Sequence, residues 1–215
     1  MSVQDNGETG VLPAKQARSQ KRKRVILDAA HRLLETRGYA ELKMEDIADA
    51  ADSSIGTLYQ RFSNKEGLLD ALLKERQQEL AAIIAGELTP EKLTGGRKAA
   101  IRRLVQLILE FALENQGFMR AIAYRQLGDP DGIPPLRETA RKAVAATWDA
   151  IATSDPSCDS EQVRLRFLFG FQLVIGTINN AVLNRPGPVL IDDPRMIDVL
   201  TDTIDRLILA DDLPL

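Results

Sequence analysis

Residues 53–65, SSIGTLYQRFSNK, gather side chains suited to gripping a polyanion. The hydroxyls of Thr57 and Tyr59 have the reach of phosphate oxygens. Lys65 places an ammonium in the first turn of a following helical run, beside backbone N–H groups that favour an anion. Arg61 can serve a phosphate or a guanine edge, Gln60 suits the N6 and N7 edge of adenine, and Ile55 suits a thymine methyl. Gly56 removes a side chain where backbone would approach its partner closely. Upstream, Lys43 adds a cation within the same region. Taken together, these types fit contact with double-stranded DNA.

Material for other chemistry is scarce. His31 is the sole histidine and Cys158 the sole cysteine. A metal cluster or a histidine-based catalytic set therefore lacks ligands and bases. With no glycine-rich phosphate loop and no nucleophile–base set, an all-α enzyme is the least favoured reading, and no cofactor or metal is expected. Cys158 lies in SDPSCDS and reads as an inert thiol. A single cysteine, a polar N-terminus (MSVQDNGETGVLP) and no signal core point to the cytoplasm. The longest apolar stretch, FLFGFQLVIG, reads as too short for a membrane span of roughly 20 residues, so no membrane partner is expected.

Over 215 residues the net charge is −3, which gives no bulk argument for nucleic acid. Its distribution is more informative. Lys15, Arg18, Lys21, Arg22, Lys23 and Arg24 form a basic run without an acid, readable as a solvated helix start or as an arm that touches DNA.

The elements that would position these groups are helical throughout. Val25, Ile26, Ala29, Ala30, Leu33 and Leu34 recur at the helical period, with Gly38 as a C-cap. Ile47, Ala48 and Ala51 mark a second helix. Leu58 and Phe62 form the inward face of a short third, whose poor intrinsic propensity is understandable in a helix that lies in a major groove. Ser63 and Glu66 read as a capping box opening a long helix that ends near Gly86. Further apolar-periodic segments follow, separated by GDPDGIPP, SDPSCDS and NRPGP, with no strand alternation.

The pattern IADAADSSIGTLYQRFSNKEGLL resembles the DNA-binding domain of TetR/AcrR-family transcriptional regulators. Ile47, Ala48, Ala51, Ser54, Gly56, Thr57, Leu58, Tyr59, Phe62, Lys65, Glu66 and Leu68 match the family pattern, as does AHRLLETRGY from Ala30. Asp52 and Ser53 stand where Gly-Val is usual, Lys43 where a Ser or Thr cap is frequent, and Arg61 where an aromatic or His is frequent. The resemblance implies an all-α chain: an N-terminal three-helix helix-turn-helix domain followed by a larger helical ligand-binding and dimerisation domain. The expected divisions are a flexible arm over 1–16, the DNA-binding domain over 17–66, and the effector and dimerisation domain over 67–215. The resemblance further implies a homodimeric, ligand-responsive repressor on a palindromic operator. A DNA-binding regulator or architectural protein of the same fold without a small-molecule effector is the alternative.

In the C-terminal part, apolar helices carry isolated polar groups, which suits a largely apolar effector site with a few anchors. Candidate ligand contacts are Phe111, Phe118, Tyr124, Arg125, Trp148, Phe171, Gln172 and Asn179. The last two helices are assigned by the resemblance to a dimeric four-helix bundle, with Phe167, Ile178, Ile197, Leu200, Ile204 and Leu207 as interface candidates.

Overall fold

The computed structural model describes residues 14–126, 136–185, 187–210 and 213. The arm expected over 1–16 therefore lies, up to residue 13, outside the described residues. Among those described there is no strand. The helices are α1 (Ala14–Glu41), α2 (Met44–Ala50), α3 (Ile55–Phe62), α4 (Lys65–Glu87), α5 (Arg97–Glu114), α6 (Gln116–Gln126), α7 (Leu136–Ser154), α8 (Glu161–Asn184) and α9 (Met196–Leu209). The basic run is thus not an arm in its described part but the first turns of α1. Near its end, α1 breaks at Gly38, which takes φ +77° as a helix-ending glycine does.

Two apolar cores organise the chain. The first joins α1 to α4 through Ile26, Leu27, Leu34, Ile47, Leu58, Phe62, Leu68 and Leu72. The second joins α5 and α7 to α9 through Ile101, Leu104, Trp148, Phe167, Val174, Ile178, Leu200 and Ile204. The division is not at the end of the helix-turn-helix. Phe118 and Ala121 of α6, both fully buried, belong to the first core.

Helix α6 is fixed to the N-terminal unit at both ends. At its start, the Glu35 carboxylate of α1 accepts from the backbone N–H of Gly117 at 2.7 Å and of Phe118 at 3.0 Å. These are donors that a helix's first turn cannot satisfy internally. Beside them, His31 Nε2 lies 3.0 Å from Asn115 Oδ1, while the Asn115 amide donates to the Phe111 carbonyl. At its other end, Tyr124 stacks obliquely on Tyr39 with centroids 5.8 Å apart, and Arg125 pairs with Asp70 of α4.

Helix α8 is 24 residues long and, by length and composition alone, could cross a membrane, so the expectation that its apolar run is too short was wrong on length. One face of it packs in the second core through Phe167, Gly170, Val174 and Ile178. Gly170 brings it close to α9, since a Cβ there would lie 3.2 Å from Ile204. The 3-4-3 seam of α9 is consequently an intrachain one: Phe167, Ile178, Leu200 and Ile204 are buried within a single chain, and Ile197 and Leu207 are half-buried. Apolar side chains left outside are Leu165, Leu168, Leu173 and Leu183 of α8 and Val199 and Leu209 of α9.

The α1–α6 contact admits no side chain at Gly117, where a Cβ would sit 2.3 Å from the Leu34 carbonyl oxygen. Gly117→Ala should therefore force the helices apart and lower stability by about 1–3 kcal/mol, read as a lower urea midpoint. Gly176→Ala, where nothing lies within 4 Å, should not lower it.

Candidate nucleic-acid interface

The turn before α3 is built by local hydrogen bonds. Asp52 adopts φ +46°, a conformation that Asp tolerates better than most residues. Ser54 caps α3, its hydroxyl accepting from the Thr57 N–H at 3.2 Å and lying 2.8 Å from the Thr57 hydroxyl. Leu58 and Phe62 turn inward and are buried, so the opposite face of α3 is presented to solvent. That face carries Ile55, Gly56, Tyr59 and Gln60, all exposed. Lys43 precedes α2 with an exposed side chain and makes no capping bond.

Two cations proposed for phosphate or base contact are engaged inside the protein. Arg61 donates from Nη1 to the Ser19 carbonyl and from Nη2 to the Ser19 hydroxyl, each at 3.1 Å. Lys65 donates to the Tyr39 carbonyl at 3.1 Å, with its Nζ 4.3 Å from the centre of the Tyr39 ring. From the other side, Arg22 donates to the Asp52 carbonyl at 3.2 Å. The N-terminal turns of α1 thus brace both ends of α3, the preceding turn through Arg22 and the last turn through Ser19. Arg18 and Lys21 on the same turns remain exposed.

The expected Ser63–Glu66 capping box does not form. Ser63 ends α3 with φ +60°, and the cap of α4 is Asn64, whose side chain accepts from Gly67 N–H at 2.8 Å. Glu66 instead accepts from the Tyr39 hydroxyl at 3.2 Å. Burial and nearby Glu66 both raise the Tyr39 pKa above its ordinary value, so Tyr39 keeps its donor proton at neutral pH.

Sequence reasoning did not find Ser19, Glu35 or Gly117, nor the bond from Arg22 to the Asp52 carbonyl. Their partners lie 30 or more positions away, and no local pattern marks them.

In the C-terminal domain a cavity of about 620 Å³ lies between α4, α5, α6, α7 and α8. Phe111, Phe171 and Asn179 are on its wall, together with Ile84, Leu104, Met119 and Ile122. The other expected ligand contacts do not line it. Phe118 is in the N-terminal core, Tyr124 and Arg125 are spent on Tyr39 and Asp70, and Gln172 faces solvent. Trp148 packs on Phe167, with ring centroids 5.6 Å apart, inside the second core.

A model of bacterial regulatory proteins of the tetR family matches residues 26–72, from within α1 to within α4. Residues 26–72 are thus a DNA-binding domain of the tetR family. The HTH-type transcriptional regulator YvkB of Bacillus subtilis is 39% identical over 59 residues, which are 27% of this chain and 31% of YvkB. The HTH-type transcriptional activator FasR of Mycolicibacterium smegmatis is 25% identical over 155 residues, 72% of this chain and 67% of FasR. Sequence similarity thus spans about a third of YvkB and about two thirds of FasR. The fold extends further: a TetR-family regulator from Rhodococcus sp. superposes with a TM-score of 0.64 at 20% identity, over 87% of this chain and 99% of that one.

The braces separate two kinds of residue in this TetR-family domain. Arg61→Ala and Lys65→Ala each remove internal hydrogen bonds and should lower stability by about 1 kcal/mol. Tyr59→Phe and Gln60→Ala should leave the thermal midpoint in place, and equal losses for all four would contradict the assignment.

Proposed function

We propose that this regulator binds a palindromic operator as a homodimer in the cytoplasm and releases it when a small molecule occupies the C-terminal cavity. One observation carries the reading. Met119, Ile122 and Ala123 of α6 wall the cavity, while Gly117, Phe118 and Ala121 of the same short helix are packed on the DNA-binding unit. A ligand shifts such an equilibrium only by preferring one arrangement of α6 over the other. A hundredfold loss of operator affinity needs about 2.7 kcal/mol of coupling.

Ile55, Tyr59 and Gln60 supply the groove-facing contacts, with Gly56 permitting close backbone approach. Thr57 and Ser54 contribute from the start of α3, near its N–H groups, and Lys43 from the start of α2. Arg61 and Lys65 act as braces that hold the helix to its scaffold. Repression follows where the operator overlaps a promoter and activation where it lies upstream. FasR, an activator, is similar to this chain, but release of the operator by a ligand fits a repressor.

A second recognition helix on the same face of DNA requires a two-fold partner, with half-sites about one helical turn or a multiple apart. The exposed apolar residues of α8 and α9, Leu165, Leu173 and Val199, together with the uncovered Gly176 of α8, suit such a partner.

Selection of bound sequences from a random DNA pool should yield a palindrome. On it, Tyr59→Phe should weaken binding roughly five- to tenfold, the worth of one phosphate hydrogen bond, and Gln60→Ala should relax one base position in each half-site. The paired variant Leu173→Glu/Val199→Glu should sediment as a folded monomer and lose operator binding. Leu200→Glu, which charges a core position, should unfold the chain instead. A wild-type protein that is monomeric at micromolar concentration and grips one half-site tightly would refute the dimer.

A further inference from the structure

The cavity's charge pattern narrows what can fill it. Apart from the rings of Phe111 and Phe171, the amide of Asn179 and two arginines, its wall is aliphatic. Among the described residues lining it, the formal charges are Arg137 and Arg141, both positive, and no carboxylate is present. The two arginines are four positions apart on α7, on the stripe that also presents Leu136, Ala140 and Val144 to the cavity. Glu138 lies off that stripe and pairs with Arg141 at 2.8 Å from outside. Arg137 has no carboxylate within salt-bridge distance among the described residues. Both guanidiniums are largely exposed, so they stand where the apolar cavity meets water.

A lipophilic cation is disfavoured by this wall, which offers two like charges and few aromatic faces. A neutral flat aromatic ligand would leave the arginines unused. An aliphatic chain ending in an anion uses both features: the chain replaces water along the aliphatic wall, and the anion meets a guanidinium fork. At about 620 Å³ the volume is within the range that holds a drug-sized molecule.

We infer that the effector is an amphipathic anion, an unbranched acyl chain seated among α4, α5, α6 and α8 with its acidic end held at Arg137 and Arg141. The inference rests on the reading that this cavity is the effector site. A carboxylate and the phosphates of a coenzyme A thioester share the required negative charge, and the test separates them.

The probes are dodecanoate, dodecanoyl-coenzyme A, methyl dodecanoate and dodecyltrimethylammonium, each at micromolar concentration with the full-length protein. Binding is read by calorimetry and by thermal shift in the absence of DNA. At least one of the two anionic probes should bind, and whichever binds tighter identifies the headgroup. The ester should bind at least tenfold more weakly, and the cation should not bind. Shortening the chain by two methylenes should cost about tenfold in affinity. Arg137→Gln/Arg141→Gln, both at exposed positions, should fold normally and erase the preference for anion over ester. The inference is overturned if neither anion binds, if the cation binds as tightly, or if the double variant keeps the anion preference. Operator release is measured separately. Arginine-dependent binding without release would leave the ligand class standing and refute the sensor reading.

Discussion

The first turn of α6 rests on the backbone of α1 with no room for a side chain between them. That contact depends on two features, the missing Cβ of Gly117 and the Glu35 carboxylate that takes the first free N–H groups of α6. A negative group at this end also opposes the positive end of the helix dipole. The consequence is that the DNA-binding unit is not a freestanding three-helix module. Its core is closed by Phe118 and Ala121 from the second domain. Any movement of α6 must either carry α1 with it or strip two hydrogen bonds and a buried aromatic from their places.

From α1 the constraint continues to the recognition helix. Ser19 holds Arg61, and Arg22 holds the turn at Asp52, so the basic stretch of α1 orients α3 through groups that never need to touch DNA. The contiguity from cavity wall to the recognition helix is complete: Met119 and Phe118 on α6, Glu35 and Ser19 on α1, Arg61 and Tyr59 on α3. Contiguity is a structural statement, and the energy it transmits is a separate quantity that only paired measurements give.

Much of the DNA-binding unit was legible because its signals are local. Leu58 and Phe62 are four apart and buried, Asp52 takes the left-handed turn, and Gly38 ends its helix, each as spacing and residue type suggest. The capping box failed by one position, because Asn64 is at least as good a cap as Ser63 and leaves Ser63 free to terminate α3. The charges were harder to place. An arginine beside a recognition helix looks the same in sequence whether it meets a phosphate or the Ser19 carbonyl 42 positions back. Phe118 was misassigned for a related reason: apolar periodicity says that a residue is buried but not in which of two cores. The seam of α9 carried the same ambiguity, since a 3-4-3 pattern fits a helix of its own chain or of another equally well.

Helix α8 shows why that ambiguity arises. It divides its apolar surface three ways: Phe167, Val174 and Ile178 to the core, Phe171 and Ile175 to the cavity, and Leu165, Leu173 and Gly176 to the outside. An element apolar on every side has no single face for periodicity to reveal. The division also has a mechanical consequence for the proposed dimer. If the outer stripe is the two-fold contact, the wall of the cavity and the dimer interface are one helix thick. A ligand pressing on Phe171 and Ile175 would then act on the dimer geometry through α8 as well as on α1 through α6. In such a dimer, whose operator affinity would depend on the separation of two recognition helices, these routes would meet in the same observable. By linkage, operator binding would then oppose the ligand by the same factor by which the ligand opposed operator binding, whichever route dominated.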